Sequence, residues 1–292
     1  MPVESHHSKS PGVIVLGTAQ DGGLPQAGCD CEACRAGRDN PATARRPSCL
    51  GLVDGKGGRW MIDATPEFGS QLAELNRGAA NRTGGTPDGI FLTHAHVGHY
   101  AGLVNLGREV MSGDGVPLWV MPRMAGFLEM NQPWASLVKE RRVVLHELSA
   151  GSPVQLGGQL AVQPILVPHR DEFSETVAFR IEGPSRRVLW LPDIDRWPEG
   201  WTDWLIDVDV AWLDGTFFYD SELPGRNLAK IPHPRINDHL AEYSRVVEER
   251  SVEIRLVHLN HSNPVSCPGT RQAKRVSSAG IGIAQEGEFV GL

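Results

Sequence analysis

The run Gly89-Ile90-Phe91-Leu92-Thr93-His94-Ala95-His96-Val97-Gly98-His99-Tyr100 leads from apolar residues into three histidines within six positions. Each imidazole carries two polar nitrogens, so core packing gives no reason to crowd them together. A metal ion does. Neutral imidazole is the commonest protein ligand of zinc, iron and manganese, and a loop leaving a strand can fold His94 and His96 onto one ion. The pattern recurs along the chain. Asp63, His94, His169, Asp193 and His258 each follow a short run rich in branched or aromatic apolar residues. Five such endings predict a site at the ends of strands, where a rigid sheet positions the loops.

A second cluster, Cys29-Asp30-Cys31-Glu32-Ala33-Cys34, holds three of the five cysteines, and Cys49 is also within the first fifty residues. Spacing this tight suits a metal knuckle better than disulfides and leaves no room for regular structure. It predicts a reducing, cytoplasmic setting. Cys49 reads as a small buried apolar residue.

These residues need a scaffold, and the composition allows one. With 292 residues, 40% apolar and 22% charged, the chain is ordinary globular material able to bury a large core. A net charge of −7 argues against nucleic acid or anionic membranes as partners. No apolar run reaches membrane-spanning length. The expected partner is a small-molecule substrate, with a homodimer left open. Met1 to Gly12 is polar, lacks the apolar core of a secretory signal and is expected to be a frayed tail, with one domain over residues 13–292.

Strands are predicted at Val13–Ala19, around Leu50–Val53, Arg59–Asp63, Gly89–Leu92, Pro117–Met121, Leu160–Val167, Thr176–Ile181, Arg186–Leu191, Val208–Leu213 and Ile254–Val257. Helices are predicted at Pro66–Leu75, Ala101–Met111, within Met124–Leu137 and at Arg235–Glu249. Asn76 to Asp88 reads as a polar linker. The loop Ile231-Pro232-His233-Pro234 is a candidate lid that points His233 inward. Arg170, Asp171 and Tyr100 are candidate pocket-lining residues, and His239 reads as a surface residue. No argument attaches to His6, His7 or His146.

Met61-Ile62-Asp63-Ala64, Thr93-His94-Ala95-His96-Val97-Gly98-His99, His169, Asp193 and His258 resemble, in order, the five motifs of the metallo-β-lactamase superfamily. Gly17 to Cys34, Leu213-Asp214-Gly215-Thr216-Phe217 and His258-Leu259-Asn260-His261-Ser262-Asn263-Pro264 resemble one branch of it. That branch makes pyrroloquinoline quinone and is related to the cyclic phosphodiesterases of phosphonate breakdown. The resemblance implies an α/β fold, a four-layer αββα sandwich.

It also implies a closed structural zinc on Cys29, Cys31, Cys34 and His261, with Cys267 as the rival fourth ligand. For the active site it implies one ion, Zn²⁺ or Fe²⁺/Mn²⁺, on His94, His96 and His169, with Asp193 as a fourth or bridging ligand. The superfamily has aspartate where this chain has Gly98, so a second site on His99, His258 and Asp193 is expected to be weak or absent. His99 and His258 would then serve as acid–base groups, and Asp63 would orient a ligand histidine. Asp214 has either that role or a structural one. The expected function is a metal-dependent hydrolase acting on a small anionic or ester-like substrate. The alternatives are a non-haem iron oxygenase in cofactor or peptide tailoring, and a non-catalytic carrier with a decayed site.

Overall fold

The computed structural model of the chain describes residues 10–79, 84–223, 225 and 231–292. Among the described residues, fourteen strands form two seven-stranded sheets. The first sheet contains β1 (Gly12–Gly17), β2 (Cys49–Val53), β3 (Arg59–Ile62), β4 (Gly89–Phe91), β5 (Val116–Val120), β6 (Val143–Glu147) and the last strand, β14 (Phe289–Gly291). Its order is β14-β1-β2-β3-β4-β5-β6. The second contains β7 (Val154–Gln155), β8 (Ala161–Leu166), β9 (Val177–Glu182), β10 (Arg187–Leu191), β11 (Val210–Asp214), β12 (Glu253–Val257) and β13 (Gly282–Ile283), in the order β13-β12-β11-β10-β9-β8-β7.

The central strands are buried on both faces, which is why they read as unbroken apolar runs. Alternate residues then choose between two cores. Val13 and Val15 face the second sheet, where Phe179, Ile181, Trp190 and Trp212 fill the space between sheets. Ile14 and Leu16 face the opposite way, onto Phe68, Leu72 and Leu75 of α2 (Phe68–Gly78). Beyond the second sheet, Leu189, Leu191, Leu213 and Leu256 pack against Leu240, Tyr243 and Val246 of α6 (Ile236–Arg250). Three apolar cores between four layers make the αββα sandwich, as expected.

Several elements differ from the expectation. Cys34 lies on a helix, α1 (Glu32–Asp39), which Cys31 enters from extended backbone; a Glu-Ala-Cys-Arg-Ala run holds enough helix formers to continue past the knuckle. The expected helix Ala101–Met111 is a single α-helical turn, α3 (Val97–Tyr100), followed by a 3₁₀ turn (Ala101–Leu106). There Gly102 packs directly on the Thr65 carbonyl, leaving no space for a Cβ. The helix expected within Met124–Leu137 is two, α4 (Pro122–Met130) and α5 (Trp134–Lys139), interrupted at Pro133. The helix expected from Pro66 begins at Phe68 and runs to Gly78, into the expected linker, of which residues 80–83 lie outside the described residues.

The strands β6, β7, β13 and β14 and the helix α7 (Arg271–Ser278) were not among the expected elements. Of the expected tail, residues 1–9 lie outside the described residues, and β1 starts at Gly12.

Candidate metal centre

Parallel pairing brings the key strand ends together. β3 pairs with β4 so that Ile62 lies beside Phe91, which puts Asp63 next to Thr93. β11 pairs with β12 so that Asp214 lies beside Val257, which puts it next to His258. Both Asp63 (φ 70°) and His258 (φ 63°) leave their strands through left-handed backbone, turning their side chains back over the sheet.

Buried carboxylates then orient the imidazoles. Asp63 accepts hydrogen bonds from the Thr93 N–H at 2.8 Å and the Thr93 hydroxyl at 2.9 Å, and from His99 Nδ1 at 2.7 Å. The Thr93 hydroxyl in turn meets His94 Nδ1 at 3.0 Å. The second sheet repeats the device: Asp214 accepts from the Thr216 hydroxyl at 2.7 Å, which meets His258 Nδ1 at 2.9 Å, and also from His233 Nδ1 at 2.8 Å. His169 donates Nδ1–H to Asp195 at 2.8 Å. With Nδ1 engaged in His94, His99, His169 and His258, these four rings turn Nε2 towards Asp193, at 3.2–4.0 Å from its Oδ2, whereas His233 faces Asp193 with Nδ1.

The ligand atoms fall into groups within 4.8 Å of one another: His94, His96, His169 and Asp193 in one, and Asp21, His99, Asp193 and His258 in the next. A further group joins Asp193, Asp214, His233 and His258. Five buried polar atoms here have no hydrogen-bond partner among the described residues: Asp21 Oδ1, His99 Nε2, Asp193 Oδ1, His233 Nε2 and His258 Nε2. Buried polar atoms are ordinarily satisfied, and three of these, Asp21 Oδ1, His99 Nε2 and His258 Nε2, converge, which fits a cation there.

The electrostatics differ from ring to ring. Burial, reinforced by the charge on His99, pushes His94 well below the ordinary imidazole value; burial and His169 lower His96. Both stay neutral and able to ligate. For Asp193 burial favours the acid, but His169, His258 and His233 outweigh it and keep the carboxylate ionised. Burial opposes charge on His99 and His233, yet Asp63 and Asp21 raise the first and Asp214 and Asp193 the second.

The knuckle is a separate site. Cys29, Cys31, Cys34 and His261 lie together, with Sγ of Cys29 and Cys31 at 3.6 and 3.5 Å from His261 Nδ1. A tetrahedral zinc, with Zn–S ≈ 2.3 and Zn–N ≈ 2.0–2.1 Å, requires about 3.6 Å between such atoms. Backbone N–H groups already point at sulfur: Gln26 N–H donates to Cys34 and Cys31 N–H to Cys29. That contact with Cys31 lowers the Cys29 thiol, while burial pushes Cys34 up to about 12. Cys267, the rival ligand, is exposed and outside the cluster.

Among the other candidates, His233 does point inward and is buried. Asp214 is fully engaged as an acceptor. Tyr100 does not line the site: its ring packs on Phe127 and Trp134 in the helical layer. Asp171 is exposed and paired with Arg123, and Arg170 is exposed. His239 sits at the surface beside Glu242, and Cys49 is fully buried.

The missed residue is Asp21. It lies in the loop after β1, which the knuckle and the Ala19–Leu259 bridge tie to the end of β12. The only signal was an acidic residue four positions past an apolar strand, followed by two glycines.

A family model described as the Beta-lactamase superfamily domain matches residues 59–258. The chain is 27% identical to the Coenzyme PQQ synthesis protein B of Klebsiella pneumoniae, over 96% of this chain and 98% of that protein. It is 28% identical to the protein of the same name in Rhizobium meliloti, over 96% and 97%. Among solved structures, zinc-bound PqqB from Methylobacterium extorquens superposes with a TM-score of 0.82 at 21% identity, covering 96% of this chain and 100% of that one. A diphosphatase of the PhnP family superposes with a TM-score of 0.69 at 22% identity, covering 97% of each. These superpositions show the fold.

Proposed function

Because the chain belongs to the beta-lactamase superfamily, we propose that it is a metal-dependent hydrolase acting on a small anionic or ester-like substrate in the synthesis of a quinone cofactor of the PQQ type. The relatives named for PQQ synthesis, which match almost end to end, support the pathway. The observation that carries the chemistry is the convergence of His94, His96, His169 and Asp193 around one point, with buried, unpartnered imidazole nitrogens beside it.

In this reading His94, His96, His169 and Asp193 hold a divalent ion. A bound ion there supplies Lewis acidity and a water whose pKa falls from 15.7 to about 7. The protein does the rest. Asp63, Thr93, Thr216, Asp214 and Asp195 are positioning residues that fix the ring tautomers. His233, with Nδ1 tied to Asp214 and no partner at Nε2 among the described residues, holds a proton for a leaving group. A cavity of about 370 Å³ lies beside Asp21 and the knuckle residue His261, lined also by Gln20, Gln26, Asn260 and Phe217.

One observation favours oxidative iron chemistry as a second reading. His96 Nδ1 lies 2.8 Å from His94 Nε2 and 3.0 Å from His169 Nε2. Three histidines and a carboxylate with these spacings would also hold Fe²⁺, which would supply oxygen chemistry at the same residues.

The test is to load purified protein with Zn²⁺, Mn²⁺ or, anaerobically, Fe²⁺ and assay bis(p-nitrophenyl) phosphate and p-nitrophenyl acetate, with oxygen uptake followed in parallel. Metal-dependent hydrolysis lost in His96→Ala is expected. Oxygen uptake by the iron form alone, also lost in His96→Ala, would replace the hydrolase by the second reading. Protein that binds zinc only at the knuckle would leave a carrier.

A further inference from the structure

We propose that this chain holds a second active-centre ion, next to the first, and that its carboxylate comes from the N-terminal loop: Asp21 takes the part that Gly98 cannot play. The proposal rests on reading the His94, His96 and His169 set as a metal centre.

Three observations carry it. Asp21 Oδ1 lies 3.2 Å from His99 Nε2 and 3.4 Å from His258 Nε2. Asp193 Oδ2 stands 4.0 and 3.8 Å from the same two nitrogens. The edges of a tetrahedron around an ion with ligands at 2.0–2.2 Å are about 3.4 Å, so these four groups surround a space the size of one cation. Next, Asp21 Oδ1, His99 Nε2 and His258 Nε2 are buried and, among the described residues, without hydrogen-bond partners, although they lie close to one another. They aim at a common point rather than at each other.

The last observation concerns Gly98. A Cβ at position 98 would sit 2.5 Å from both Cα and Oδ1 of Asp21 and 2.6 Å from its Cγ. The aspartate therefore fills the volume a side chain at 98 would enter, and the glycine is what lets it in. A carboxylate lost from α3 is replaced across space from a loop 77 residues earlier in the chain.

The loop is built to hold that position. Gln20 N–H donates to the Leu259 carbonyl at 3.0 Å and Gly23 N–H to the Gln20 carbonyl at 2.7 Å. Asn260 bonds the Gln20 side chain, and the cysteine knuckle clamps the same loop to His261. Asp193, shared between the two ligand groups, would bridge the ions.

The experiment counts ions by elemental analysis of metal-saturated protein and measures the weakest site by chelator competition, with Co²⁺ as the optical probe. Wild type is expected to take one ion at the knuckle and two at the active centre. Asp21→Asn, which keeps the volume, and Asp21→Ala are expected to weaken one active-centre ion by about tenfold or more. Gly98→Asp alone should also weaken it, because the two side chains collide. The exchange variant Asp21→Gly/Gly98→Asp should regain most of the lost affinity. Should the exchange variant fail to fold, Asp21→Asn with a wild-type melting temperature decides alone. Unchanged affinity in Asp21→Asn, or no more than one active-centre ion in wild type, would overturn the proposal. Two active-centre ions without metal-dependent turnover would refute the hydrolase while leaving this site standing.

Discussion

Asp63→Asn separates what the carboxylate does for the metal from what it does for the fold. The Thr93 N–H at 2.8 Å and the Thr93 hydroxyl at 2.9 Å both need an acceptor, so the asparagine oxygen must take the Oδ1 position. Its amide nitrogen then replaces Oδ2, 2.7 Å from His99 Nδ1. An N–H aimed at Nδ1 drives the His99 proton onto Nε2, the atom that faces Asp21 and Asp193. Loss of such a partner typically costs 10–100-fold in metal affinity, about 1.4–2.7 kcal/mol. The backbone is barely affected, because two of the three hydrogen bonds survive; the expected loss is about 1–2 kcal/mol, a fall in Tm of a few degrees.

Asp63→Ala instead strands a buried N–H and an imidazole and opens a cavity, for about 3–6 kcal/mol. Chelator competition with Co²⁺ reads the first quantity, and thermal melts of chelated protein read the second. Wild-type metal affinity in Asp63→Asn would refute the tautomer argument. So would Asn and Ala variants that lower stability equally.

Thr216→Val cuts the matching relay to His258; about tenfold weaker binding of one active-centre ion is expected in the same titration, with the knuckle ion retained. Cys31→Ala should remove one zinc per chain by elemental analysis and lower the melting temperature. It should also weaken the ion facing Asp21 more than that on His94, because one loop carries both Cys31 and Asp21, whereas Cys267→Ser should change neither.

The His233–Asp214 pair gives a pH test. The folded pKa of His233 is raised, since Asp214 and Asp193 outweigh its burial. Its stabilisation is therefore full below the unfolded value of about 6.5 and fades as pH rises through the folded one. The Tm difference between wild type and His233→Gln, in chelator, should be largest below about pH 6.5 and shrink above it. A difference that grows with pH would contradict this. Trp190→Ala, in the core between the sheets, should cost about 3–5 kcal/mol by denaturant melts.

Much of this protein was legible locally. Strands buried on both faces must be largely apolar, so β1, β10 and β11 announced themselves. Histidine and aspartate have no reason to end such runs unless a site lies there, which is how Asp63, His94, His169, Asp193 and His258 could be read. Three cysteines in six residues likewise carried the knuckle. Short edge strands such as β13 and β14 could not be read, because two or three residues hold no period and their pairing is set by the neighbouring strand.

Only the tertiary structure decided the environment of Gly98. In sequence it is a missing carboxylate. In space it is a gap into which Asp21 fits, brought there by backbone bonds to Leu259 and by a cysteine cluster closed by His261. Ligand types are local chemistry and can be read residue by residue. Which ligand fills which place depends on contacts between segments more than 200 residues apart, and no local pattern records them.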